Sequence, residues 1–185
     1  MPDIVEADFG TLSKEGDLSV LRFRRPLAHA PHTVWRALTE AGQLAAWFPT
    51  TIEGELVPGG PLVFSFRSID LPPMHGEVLA VEADRLLEFM WGDDRLRLEL
   101  QPGDGAGTTV LELTVWFPEH GKAARDGAGW HVCLDDLGSA LAGVALAGED
   151  DQHWREVHPG YVARLGPEAS TVGRPPEWED RYGPA

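Results

Sequence analysis

GAGWHVCLDDLGSALAG (127–143) brings a tryptophan, a histidine, the only cysteine of the chain and two adjacent aspartates into one short run. Two readings compete: a helix displaying a thiol and an imidazole for chemistry, or a helix whose apolar side covers something. Helical angle separates them. Trp130, Cys133, Leu134, Leu137 and Leu141 recur at i, i+3, i+4, i+7 and i+11, one stripe along a helix. His131, Asp135 and Asp136 point away from that stripe. Cys133 and His131 therefore share no face on which a nucleophile and its base could meet. Cys133, deep in the helix and far from an N-terminus that would lower its pKa, reads as a small hydrophobe.

A long apolar stripe needs a surface to cover, and the preceding sequence supplies one. DLSVLRFRRPL (17–27) alternates, with Leu21 and Phe23 on one face and Val20, Arg22 and Arg24 on the other, the period of a half-buried strand. APHTVWRALTEAGQLAAWF (30–48) changes to the helical period and predicts two short helices, with Pro31 at the first turn and Pro49 as the stop. Turn signals then come at short intervals, at Pro58-Gly59-Gly60-Pro61, Pro72-Pro73, Gly92-Asp93-Asp94 and Pro102-Gly103-Asp104-Gly105. Between them Leu62, Phe64 and Phe66 align, as do Leu87, Phe89 and Trp91, then Leu96, Leu98 and Leu100, then Leu111, Leu113, Val115 and Phe117. The pattern predicts an antiparallel meander with one apolar face, which the helix stripe covers. The fold class expected is α+β: a curved antiparallel meander sheet wrapped around a long C-terminal helix, with two short helices between strands one and two. Residues 1–16 read as a flexible leader and 17–147 as this domain. Residues 148–165 read as an additional helical segment broken near Pro159, and the Gly/Pro-rich 166–185 as a flexible tail.

Bulk composition narrows the function classes. At 185 residues and 43% apolar content, with seven Trp and seven Phe, the chain can build a sizeable core, and no apolar run approaches the roughly 18 residues of a membrane helix. The formal charge of −15, from 30 acidic against 15 basic residues, repels nucleic-acid phosphates and anionic membrane surfaces. Neither is expected as a partner. A single cysteine and an N-terminus without a secretory pattern lead to a cytoplasmic expectation.

The candidate chemistry is thin. His29 and His32 straddle a strand-to-helix turn, His153 and His158 are poorly spaced for a helical chelate, and H-E-x-x-H is absent, so no metal site is expected. PGDGAGTT (102–109) lacks the lysine of a phosphate loop and precedes a strand, so it reads as a hairpin turn, and no cofactor is expected. His75, at the start of a meander strand, reads as a loop-edge histidine, or as the acid/base if chemistry exists at all. The aromatic residues read equally well as core filling and as the lining of an apolar pocket.

VWRALTEAGQLAAWF, MHGEVLAVEADRLLEFMW and GWHVCLDDLGSALAG, in this order around a meander, resemble the Bet v 1/START-like superfamily, and within it the group related to the C-terminal domain of the activator of Hsp90 ATPase. The resemblance spans about residues 17 to 147. It implies a helix-grip fold with an apolar cavity between sheet and long helix, where members hold lipids, sterols, polyketides or hormones. That cavity would be lined by Trp35, Trp47, Phe48, Phe64, Phe66, His75, Phe89, Trp91, Trp130, Leu134 and Leu137. Some relatives carry a polar residue, often His, late in the last strand, where this chain has Val115 or Trp116. The expected function is binding of a small apolar ligand without covalent chemistry. The alternatives are a cyclase/aromatase- or hydrolase-type enzyme using His75 at the cavity mouth, and a domain that docks on a chaperone partner. A second copy of the chain, as a homodimer, stays open as a partner.

Overall fold

The computed structural model describes residues 8–67, 69–144 and 151–183. The alternating stretches form an eight-stranded antiparallel sheet: β1 (Thr11–Glu15), β2 (Leu18–Leu27), β3 (Thr50–Gly54), β4 (Pro61–Phe66), β5 (Met74–Glu82), β6 (Leu86–Trp91), β7 (Asp94–Pro102) and β8 (Thr109–Phe117). Their spatial order is β1-β2-β8-β7-β6-β5-β4-β3. Two short helices, α1 (Pro31–Thr39) and α2 (Ala41–Leu44), carry the chain from β2 to the far edge. The meander then returns strand by strand until β8 lies beside β2, and the sheet stays open between β1 and β3.

Register explains why one face is apolar. Leu87 pairs with Leu98, Leu98 with Leu113, and Leu113 with Phe23, so one row of side chains crosses four strands on the same side. Phe89, Leu96, Val115 and Leu21 form the next row, and every member of both rows is buried. The opposite face carries Arg95, Arg97, Glu88 and Glu99 in ion pairs of 3.4–4.0 Å. Val115 faces inward and Trp116 outward, where Arg95 lies over its ring. β5 bends at a register shift between Val78 and Ala80. Just before it a Cβ on Gly76 would lie 1.8 Å from the Met90 carbonyl oxygen, so only glycine fits that approach.

The long helix α3 (Ala123–Leu141) covers the inner face, the helix-grip arrangement. Trp130, Leu134 and Leu137 of its expected stripe are buried in the core, with Cys133 and Leu141 partly so. His131, expected off the stripe, is only 1% exposed. The reason is a second layer: α4 (Gln152–Leu165) packs on that side of α3 and sets the Tyr161 ring against Gly127. α4 runs unbroken through Pro159, against the expectation of a break, because Val157 and Tyr161 on either side are fully buried and tertiary packing outweighs proline's cost.

The terminal stretches contribute to the fold. The residues read as a leader supply β1 and Phe9, which packs on Tyr161 and His131. Those read as a tail form a short 3-10 turn (Pro167–Ser170) and α5 (Pro176–Tyr182). Among the described residues, no helix is long and apolar enough to cross a membrane.

Candidate functional site

Where the inner sheet face meets α3, six rings converge. Trp130 lies 5.4 Å from Trp91 and 5.7 Å from Phe48, centroid to centroid, and Phe48 lies 6.2 Å from Phe89. Phe64 stacks on Phe89 at 5.8 Å, and Phe66 meets Trp91 edge-on at 6.3 Å. Phe48, Phe64 and Phe89 are at most 1% exposed, whereas Phe66 and Trp91 are half-buried and form the outer edge of the cluster. The Trp91 indole N–H is buried without an acceptor among the described residues. A donor left this way costs about 1–3 kcal/mol, so the position is held against a penalty.

The expected cavity residues divide accordingly. Phe48, Phe64, Phe66, Phe89, Trp91 and Trp130 come together, and Leu134 and Leu137 belong to the same core. Trp47 packs edge-on to Phe48 but serves the α1–α2 elbow, donating its indole N–H to the Ala37 carbonyl at 2.8 Å. Trp35 is half-buried against the core. His75 is corrected: it is exposed and lies on the face of β5 opposite Met74 and Val78, paired with Val63. Strand alternation turns it away from the cluster, so it cannot act there as acid or base.

The apolar cavity that the resemblance implies is not among the concavities described for the described residues. Rings of the chain itself occupy the space between sheet and α3. The concavities described lie elsewhere and are smaller than the roughly 300–1,000 Å³ of ligand pockets. One, of about 210 Å³, lies beside Phe9, Arg22, Arg24 and Glu112, and another, of about 70 Å³, lies between α2 and Thr50, Ile52 and Arg67.

A polar cluster that the sequence reading did not find lies under α4. Tyr161 Oη accepts the Gly10 N–H at 2.8 Å, which leaves its proton for His131 Nδ1 at 3.2 Å. His131 Nε2 then faces Asp135 Oδ2 at 3.3 Å, and His153 Nε2 reaches the same oxygen at 2.9 Å. Arg25, 6% exposed, stands 3.6 Å from Asp135 and donates to the Asp8 carbonyl at 2.6 Å. Burial pushes the Asp135 carboxyl up, but the two histidines and Arg25 outweigh it and hold the group below its ordinary range. Its neighbour Asp136 lacks that support, and burial raises it to about 6. Burial pushes the Tyr161 phenol well above its usual range. The Cys133 thiol, on the other side of α3, is pushed up to about 12 by burial and then by the Asp136 charge. A signal for the cluster was present: Arg25 is in phase with Leu21, Phe23 and Leu27, a cation on an apolar face. No group of three or more metal-ligating side chains occurs among the described residues.

Arginines fasten the C-terminal segment. Asp151 accepts from Arg155 at 2.7 Å and from Arg174 at 2.5 Å, and the Arg174 guanidinium lies 3.5 Å from the Trp154 ring centroid. Arg155 also donates to the Tyr182 and Gly183 carbonyls, each at 2.9 Å.

Comparison with known proteins agrees with this architecture. Similar solved structures include the conserved protein of unknown function EF2215 from Enterococcus faecalis, with TM-score 0.71 and 22% identity over 84% of this chain and 90% of that one. CalU16 from Micromonospora echinospora gives TM-score 0.68 and 22% identity over 84% and 96%, and the protein encoded by BPP1335 of Bordetella parapertussis gives 0.65 and 24% over 78% and 85%. At such identities the likeness is one of fold. The search of curated proteins finds no match. The family model described as activator of Hsp90 ATPase homolog 1-like protein matches residues 28–142, from the end of β2 to the end of α3. With a helix-grip sheet of the Bet v 1/START-like superfamily and a family match over most of its length, the chain belongs to the activator of Hsp90 ATPase homolog 1-like family.

Proposed function

We propose that the chain binds a small apolar molecule between sheet and α3, without covalent chemistry, at the cluster of Phe48, Phe66, Trp91 and Trp130. The observation that carries this reading is the Trp91 indole N–H, buried among aromatic rings at the half-buried edge of the core with no partner among the described residues. An apolar molecule with one hydrogen-bond acceptor would relieve that donor and lose little by leaving water. The rings pack on one another, so entry requires Phe66 and Trp91, the outer members, to swing aside. Among the described residues no set of polar groups converges on the cluster, which favours binding over catalysis. A cytosolic setting accords with the lone, unreactive thiol.

Titration with prodan, a neutral planar naphthyl ketone, tests the proposal. Saturable binding at one site is expected, weakened several-fold in Phe66→Ala and in Trp91→Phe. Absence of saturable binding, or binding indifferent to both substitutions, would overturn it.

A further inference from the structure

We propose that α5 is a cover acting in cis: the Trp178 ring holds the place that an uncharged planar aromatic group of the ligand takes, so ligand and α5 compete. This rests on the binding reading above. Trp178 meets Phe66 edge-on, at 6.1 Å and 86°, and Phe66 meets Trp91 at 65°. Trp178 thus continues the edge-to-face run Trp130–Trp91–Phe66 outward by one ring, the geometry that aromatic quadrupoles favour.

What holds Trp178 there differs from what holds the other rings. α5 has no buried residue, and its described anchors are polar. Arg155 binds the carbonyls at its C-terminal end, and Arg174 lies between Trp154, at 3.5 Å, and Trp178, at 5.8 Å. Both guanidinium groups converge on the single carboxylate of Asp151. The helix therefore hangs from α4 by a polar clasp in which Arg174 and Asp151 are largely buried, and its described ring contact with the sheet is Trp178 on Phe66. Such a segment opens locally at far lower cost than the core beneath it. It also lies beyond the residues matched by the family, which end at 142, so the family fold is complete without it.

The ligand class follows from the ring displaced and from charge. The site receives an indole in cis, so it fits a planar aromatic group of similar size. Glu177, Glu179 and Asp180 on α5, in a chain of formal charge −15, disfavour an anionic one.

Prodan titrations of the full chain with Trp178→Ala, Trp178→Phe and Phe66→Ala test the cover. When a bound-competent state is only partly populated, apparent affinity falls by that fraction. Releasing one edge-to-face contact should then tighten binding by about 2- to 10-fold in Trp178→Ala. Trp178→Phe, which keeps a ring, should stay close to wild type, and saturating prodan should speed amide exchange across 176–182 in the wild type. Unchanged or weaker binding in Trp178→Ala, with Phe66→Ala still weakening it, would overturn the cover and leave the aromatic site standing. No saturable binding in any of the proteins would overturn both.

Discussion

Asp135 and Asp136 are chain neighbours on α3, yet their carboxyls shift in opposite directions, and replacing Asp136 by asparagine isolates one of them. Burial raises Asp136 to about 6 from an ordinary 3.8, helped by repulsion from Asp135 and opposed by attraction to His153. A folded-state value above the unfolded one means that the native protein holds this proton more tightly. Stability linked to the group is therefore present below about pH 4 and is lost as pH rises to about 6. The rise from 3.8 to about 6 sets a ceiling of ~3 kcal/mol, and the partial exposure of the side chain reduces this to ~1–2 kcal/mol. Asn keeps the shape and removes the charge. Urea unfolding at about pH 8 should show Asp136→Asn more stable by ~1–2 kcal/mol, with the gap closing by about pH 4. Asp135, whose lowered value favours the folded state above about pH 4, acts alike in both proteins and largely cancels in the difference. Equal stability at high pH, or a gap that widens on acidification, would refute the burial argument.

Other substitutions address separate parts of the account. Gly127→Ala would normally strengthen a helix, but its Cβ would lie 2.7 Å from the Tyr161 ring. Overpacking should therefore lower stability by about 1–3 kcal/mol in denaturant unfolding. Tyr161→Phe strands the Gly10 N–H and His131 Nδ1 in the interior and should cost about 1–3 kcal/mol in the same assay. Cys133, with its thiol pushed up to about 12, should resist Ellman's reagent at about pH 8 in the native state and react promptly in urea. His75→Ala should leave both stability and prodan affinity unchanged, since the side chain is exposed on the far face of β5.

The fold was legible where periodicity is strong. The alternation from 17 to 27, the paired short helices and the stripe on α3 each match an element, because burying one face of a strand or helix imposes a period that survives in the residues. What failed was information that lies between elements. His131 and Asp135 read as off the stripe because the sequence shows only one covered helix face, and only α4 folding back shows that a second face is covered too. His75 reads as a loop-edge histidine from its place in a turn-rich stretch, whereas parity counted from Val78 turns it outward. Aromatic residues say that a core is large but not whether it is open. Six of the rings expected to line a cavity pack on one another here. Trp178 sits in a short helix among prolines and acids, where no period survives to mark it as a contact.

The central claim is that the partnerless Trp91 donor marks a ligand site. The most direct test is a proton–nitrogen correlation spectrum of the tryptophan indoles during prodan titration. Trp47 and Trp116 already donate, to the Ala37 carbonyl and to Glu15, and should barely move. The Trp91 signal should shift most and saturate with binding as its N–H meets the ketone oxygen. A Trp91 signal that stays fixed at saturating prodan would contradict the account.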